Sequence, residues 1–375
     1  MPKAKTALVI GGGAPNMPLM AGALSAMIRQ RVRFDIISTS GAGALVGLLY
    51  AAPKSGNPIA ALAGMVQMGI ADPIYRLLPV NYKVFNKPGP LAEQFRSEIA
   101  RSPFAQWVDE LSQQSPAWRA WADWVRLMWA IATPTDLSMR SLGLCAHVPF
   151  IEEVVDFQRL ADASIPIYLN AYNLDRHQMV QWEGPEITVE RFRAALSFPF
   201  LYPPTVIANE AGEPEHYIEG AALDTLNFKA LVGPDGVHPE IDTLVVFDVL
   251  GADQLLRPPR DLYDAWVMSI ITPLVEIAKD DLKLFDLVYN RNPDGTEKRH
   301  LLIVPLLSPE FPKSRWAEMF DWTYSNMYAL YRAGFDIGLD FCREHADKLD
   351  IVYDESVLPL PENWTLADAL GTAAR

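Results

Sequence analysis

Apolar positions in this chain fall into two kinds of run. Short unbroken runs bounded by glycine or proline read as buried strands, and longer stretches with apolar residues three and four apart read as helices. The first short run covers residues 6–10, Thr-Ala-Leu-Val-Ile, and ends in Gly11-Gly12-Gly13. A helix is expected next, with Pro15 in its first turn and Leu19, Ala23, Leu24 and Met27 on one face. A second strand is expected over residues 34–39. It meets Ser40-Gly41-Ala42-Gly43 and then a helix of small apolar residues to about Tyr50. Strand, glycine turn and helix, repeated, is the start of a parallel α/β sheet.

From about Ile59 to Leu160 the pattern is mainly helical, and prolines such as Pro73, Pro90, Pro103 and Pro116 divide it. Trp107, Trp118, Trp121, Trp124 and Trp129 all lie here. Strand patterns return at residues 167–173 and 178–182 across a turn at Asp175-Arg176. A short helix near residues 189–196, a Pro199/Pro203/Pro204 bend and a strand ending at Tyr217-Ile218 follow. Residues 243–249 read as another buried strand. Two long helical patterns, 262–288 and 316–345, flank a short strand near residues 300–305, and the last ten residues read as frayed. The expected layout is an α/β core over residues 1–60 and 160–260. A helical insertion or cap over 61–159 interrupts it, and a mainly helical extension over 261–375 follows it.

Composition narrows the partners. The chain has 375 residues, half of them hydrophobic, which suffices for one large α/β domain with additions. A net charge of −14 argues against a nucleic-acid backbone as partner, which needs a basic surface. It also disfavours purely electrostatic attachment to an anionic membrane. Cys145 and Cys342 have no paired spacing that suggests metal or redox work, and they read as inert thiols in a reducing compartment. The first apolar run is too short for the core of a signal peptide. No stretch of about 18 uncharged apolar residues suggests a membrane span. The expectation is a cytoplasmic protein, with peripheral contact to a membrane or lipid granule left open.

Candidate chemistry sits at the glycine turns. Acyl transfer by serine needs a hydroxyl held proud of the scaffold with small neighbours, which the strand-to-helix turn G-x-S-x-G provides. Residues 38–42, Ser-Thr-Ser-Gly-Ala, place Ser40 in that position, with small Ser38 and Ala42 where the pattern has glycine. A helix-capping serine in a tight turn is the plainer reading of those residues. Gly11, Gly12 and Gly13 open a loop whose N–H groups can hold an anion. The anion is a tetrahedral oxyanion in an acyl hydrolase and a pyrophosphate in a dinucleotide enzyme. Against the second, Asn16 stands at the third glycine position, and the next acid, Asp35, opens the second strand instead of ending it. A serine also needs a base. None of the histidines, His147, His177, His216, His238, His300 and His345, has a catalytic setting in the sequence, although His216 precedes a strand end. Glu219, followed by Gly220-Ala221, is the acid best placed to project from a strand end, with Asp224 and Asp248 as alternatives.

These features in this order resemble the patatin-like phospholipase family. Its members carry a glycine-rich oxyanion loop, G-x-S-x-G after the second strand, and a later Asp-Gly-Gly/Ala. They use a Ser–Asp dyad without histidine. Residues 34–40 resemble the family's approach to its nucleophile. Residues 193–199 with Pro203-Pro204 resemble its Ala-Ser stretch and Pro-rich bend. The resemblance implies a three-layer, mostly parallel α/β sheet of the patatin or lysophospholipase type. It implies Ser40 as nucleophile, Glu219 in the Asp place, and Gly11, Gly12 and Gly13 lining the oxyanion hole. It implies a lipid or acyl ester as substrate and no cofactor. Pro15 replaces the family's basic residue after the glycines, and Glu219 is one methylene longer than Asp. Those departures motivate the alternative of a catalytically silent lipid-binding protein on the same fold.

Overall fold

The computed structural model describes residues 5–13, 16–147, 151–163, 165–232, 238–250, 255–307, 321–365 and 368. Pro15 and the stretch before Asp321 in the last long helical pattern lie outside them, as do nearly all of the last ten residues.

The chain opens with β1 (Lys5–Ile10), α1 (Met17–Arg29), β2 (Ile36–Thr39) and α2 (Gly43–Ala51). β1 lies between parallel partners, β2 on one side and β7 (Ile241–Phe247) on the other. A strand so placed is covered on both faces, which is why its sequence is an unbroken apolar run. Ala7 and Val9 pack on one side of the sheet, and Leu8 and Ile10 on the other.

α3 (Pro58–Gly64), α4 (Asp72–Leu77), α5 (Pro90–Arg101), α6 (Pro103–Ser112), α7 (Pro116–Ala132), α8 (Ile151–Val154) and α9 (Phe157–Ala161) make up the middle. Pro73, Pro90, Pro103 and Pro116 each sit in the first turn of a helix. Pro103 and Pro116 follow Ser102 and Ser115, whose side chains accept from the N–H groups of Ala105 and Trp118. The charges that interrupt the tryptophan pattern of α7 turn inward. Asp123 is fully buried and ion-paired to Lys83 at 3.1 Å and Arg126 at 2.9 Å, and it accepts from the Ala71 N–H at 2.7 Å. Arg119 stands over the Tyr324 ring at 3.6 Å. Trp118 and Trp124 turn outward instead, each 42% exposed, while Trp121 and Trp129 are half-buried.

The sheet resumes with β3 (Ile167–Asn173) and β4 (Gln178–Glu183), an antiparallel hairpin across the expected turn. α10 (Val189–Ala195), β5 (Thr205–Ala208), β6 (Pro214–Glu219), α11 (Lys229–Val232) and β7 come next. α12 (Leu262–Leu284), β8 (His300–Ile303) and α13 (Tyr324–Glu344) complete the chain. The last described helix starts at Tyr324, where Thr323 caps it, and residues 316–320 of the expected pattern lie outside the described residues. The strand order is β5-β6-β3-β2-β1-β7-β8, with β4 pairing β3. The run β3-β2-β1-β7-β8 is parallel, while β4, β5 and β6 form antiparallel pairs. Helices cover both faces, so the molecule is a three-layer, mostly parallel α/β fold.

α1 is buried all round because α13 lies across its outer side. The two backbones meet through glycines: a Cβ on Gly22 would overlap the Tyr331 carbonyl, and one on Gly334 would overlap the Leu19 carbonyl. Larger residues there would force the helices apart, at a cost typical of overpacking, about 1–3 kcal/mol. The one hydroxyl that α1 buries, on Ser25, donates to Ala21 O at 2.8 Å and accepts from the Tyr331 hydroxyl at 2.8 Å.

Candidate active site

The site forms where the C-terminal ends of β1 and β2 meet the end of β6. Ser40 follows β2 directly. Its N–H donates to Ile10 O at 3.1 Å, which extends the β1–β2 pairing by one residue and fixes the turn. Gly41 takes φ +50°, the left-handed conformation that glycine adopts without strain. The two small residues at the glycine positions of the pattern have roles. Ser38 is fully buried, and its hydroxyl donates to Asn227 O at 2.6 Å, so a serine is satisfied where glycine is usual. Ala42 lines the pocket above the turn.

Glu219 ends β6, and its N–H donates to Ser197 O at 3.0 Å. Its longer side chain lays the carboxylate over the turn. A Cβ on Gly41 would overlap Glu219 Oε1 and crowd Ala221 Cβ at 2.7 Å. The place a Cβ would take on Gly12 lies 4.0 Å from the same oxygen and 3.9 Å from Ser40 O. Glycine at position 41 therefore makes the room that the extra methylene of Glu219 needs. Glu219 is 9% exposed, and burial raises its carboxyl to about 8.

Ser40 itself is fully buried, and its hydroxyl donates to Asp224 O at 2.9 Å instead of to Glu219. The pocket of about 220 Å³ above the turn is lined by Gly12, Gly13, Ala42, Ala221 and Glu219, and Ser40 lies beneath that lining. Gly11 differs from the other two loop glycines, because its N–H donates to Phe247 O at 3.0 Å and serves strand pairing. Asp35 sits before β2, at the end of the strand opposite Ser40, and accepts from the Thr6 N–H at 2.9 Å. It is remote from the glycine loop, as a ribose-binding acid could not be.

The alternative acids are engaged elsewhere. The Asp224 carboxylate pairs with Lys229 at 3.0 Å, and only its carbonyl faces Ser40. Asp248 lies one residue past β7, not inside it, and accepts from the Leu250 N–H at 2.9 Å. His216 bonds Asp175 at 3.1 Å and does not line the pocket.

His147 is the residue that sequence reasoning passed over. It lines the pocket with Glu219, bonds Ser197 Oγ through Nε2 at 3.0 Å, and stacks on Tyr202 with ring centroids 4.3 Å apart. Burial, helped by Arg193, lowers its pKa to about 4, so the ring is neutral at pH 7. It sits in a non-helical stretch after α7, where no period or motif marks it. Among the described residues no group of three or more His, Cys, Asp or Glu is arranged to hold a metal. Cys145 and Cys342 are free thiols, pushed up by burial to about 11 and about 12.

No curated protein matches the chain. Among solved structures, VipD from Legionella pneumophila is similar at 14% identity and a TM-score of 0.38, over 100% of this chain and 74% of that one. That likeness is too distant to argue from. The family model for patatin-like phospholipase matches residues 8–232, from β1 through the Ser40 turn and Glu219 to α11. That match spans more than half of the 375 residues, and the chain belongs to the patatin-like phospholipase family.

Proposed function

We propose that the chain is a serine acyl hydrolase, a lipid esterase, that works through a Ser40–Glu219 dyad. Family membership supports lipid hydrolysis in general. The finer reading rests on one observation: a buried carboxylate with a raised pKa lies over the Ser40 turn at the base of an apolar pocket. In the proposed reaction the Ser40 hydroxyl turns from Asp224 O toward the pocket and attacks the ester carbonyl. Glu219 takes the proton, then returns it to the leaving alcohol. The N–H groups of Gly12 and Gly13 face the developing oxyanion, and Gly11 is left out because its N–H is already bonded. Water resolves the acyl-enzyme, with Glu219 again as base. No cofactor enters.

The Ser40 hydroxyl bond to Asp224 O favours a second reading, a lipid-binding protein with a silent site. Progressive inactivation separates the two. Turnover of p-nitrophenyl butyrate should fall in proportion to covalent labelling by a fluorophosphonate. Turnover that survives complete labelling, or no turnover before labelling, would sink the enzyme reading.

The lipid itself is proposed to meet the protein at the aromatic strip of α6 and α7. Phe104, Trp107, Trp121 and Trp118 touch in sequence, with ring centroids 5.6–5.7 Å apart. Phe104, Trp107 and Ile131 are exposed by 49%, 46% and 56%. Tryptophan suits such a boundary, with an apolar ring and an N–H that stays wet. With a net charge of −14 the contact rests on apolar burial and resists salt. Wild-type protein is expected to sediment with neutral-lipid vesicles at both low and high salt, and a Trp107→Ala/Trp118→Ala variant to remain in the supernatant. Equal partitioning of the two proteins would overturn the assignment. No helix among the described residues is long and apolar enough to cross a membrane.

A further inference from the structure

The family match ends at residue 232, yet one wall of the pocket comes from beyond it. α12 presents Trp266, Val267, Ile270, Ile271 and Leu274 to the pocket. These recur at the spacing of a single helix face. They stand across from the Gly12, Gly13 and Glu219 base on which the ester would react. Ile271 and Leu274 are buried, 5% and 9% exposed, so this wall is packed and can exclude atoms. Trp266, at the N-terminal end of the same face, is 37% exposed.

The pocket's size and charge are informative together. At roughly 30 Å³ for each water-sized group, a space of about 220 Å³ holds about seven methylene-sized groups. A palmitoyl chain is about twice that. Among the described residues no lysine or arginine lines the pocket. The lining side chains that can carry charge near neutrality are Glu219, an acid, and His147, which burial keeps neutral. Of the described cations around it, Arg193 acts on His147 through space but is not part of the lining, Lys83 bonds Gly69 O at 2.7 Å and Asp123, and Lys229 pairs with Asp224. A phosphate a few bonds from the ester would meet the Glu219 carboxylate and, among the described lining residues, no counter-charge, which is unfavourable in an apolar site.

We infer that the site takes an uncharged ester with a medium-length acyl chain of about six to eight carbons, and that the Ile270–Ile271–Leu274 face of α12 sets that length. The inference rests on the acyl-hydrolase reading and deepens it. Ile270, Ile271 and Leu274 are specificity residues. They touch the chain, not the reacting atoms.

The 375-residue chain and a Ser40→Ala control are assayed on p-nitrophenyl esters from acetate to palmitate. Dioctanoylglycerol and dioctanoylphosphatidylcholine are then compared in the same neutral micelles. Ser40-dependent kcat/KM should rise about fourfold per methylene, as buried apolar area predicts, to a maximum near octanoate and then fall. Dioctanoylglycerol should be preferred at least tenfold. Ile271→Phe should lower the octanoate-to-butyrate ratio at least tenfold and move the maximum to a shorter chain. Ile271→Ala should move it to a longer one, and it supplies the same reading if the phenylalanine variant does not fold. Ser40-dependent hydrolysis with unchanged ratios in both variants, or with palmitate or phosphatidylcholine preferred, overturns the inference and leaves the hydrolase standing. Absence of Ser40-dependent hydrolysis from every ester overturns both.

Discussion

Replacing Ser40 by alanine is expected to lower kcat/KM for ester hydrolysis by at least about a thousandfold while the fold persists. No serine, threonine or cysteine among the described pocket-lining residues stands ready to replace Ser40 in the proposed covalent step. His147 is neutral and bonded to Ser197, and the Asp224 carboxylate is held by Lys229. The structural cost should be small. The substitution removes one hydroxyl, and the Asp224 carbonyl it releases still accepts from Asn170 Nδ2 at 3.0 Å. A loss of about 1 kcal/mol is the ordinary worth of such a bond. Steady-state kinetics beside thermal unfolding checks both halves. A variant that unfolds with wild type yet still turns over at the wild-type rate would remove Ser40 from the reaction.

Glu219→Gln should be nearly as damaging to turnover, and its effect on stability should run the other way. The Glu219 carboxyl is raised from 4.5 to about 8 by burial, so folding disfavours the charged form. The sign follows. Below the ordinary carboxylate range the group is protonated in both states and costs nothing. As pH rises toward 8 the unfolded chain ionises freely while the folded one resists, and wild type loses stability. Glutamine carries no such term. The stability difference between variant and wild type should therefore grow between pH 5 and pH 9, by up to about 4 kcal/mol. Over the same range wild-type kcat/KM should climb with an apparent pKa near 8, because only the carboxylate can accept the Ser40 proton. Denaturant unfolding of both proteins across pH, with the wild-type pH–rate profile, tests the assignment. A pH-independent difference would mean that Glu219 is not the buried acid described, and an active glutamine variant would mean that it is not the base.

Much of this arrangement was legible in the residues because local pattern and global position coincide there. The unbroken runs of β1 and β7, the glycines between strand and helix, and the hairpin of β3 and β4 each need a residue type that only one setting explains. What was not legible depends on contacts between distant segments. The Ser40 hydroxyl bonds a carbonyl 184 positions away, and nothing near residue 40 signals that. Periodicity alone leaves the tryptophan stripe of α7 two readings, a face packed on the core or one at an acyl entrance or lipid surface. A buried Asp123 with Lys83 and Arg126 turns the helix so that these polar residues face in and Trp118 and Trp124 face out. His147 joins the pocket through Ser197 and Tyr202, which come from a different part of the chain. The reach of Glu219 over Gly41 shows the same coupling: each residue looks like a departure alone, and together they fit.

The most direct test of the account is where a fluorophosphonate attaches. After labelling, intact mass should show a single adduct, and peptide mapping should place it on Ser40 in the segment that follows β2. The Ser40→Ala protein should carry none. A rival stands behind the pocket lining, because the buried Ser197 bonds the His147 imidazole at 3.0 Å. An adduct on Ser197, or equal labelling of wild type and Ser40→Ala, would contradict the account.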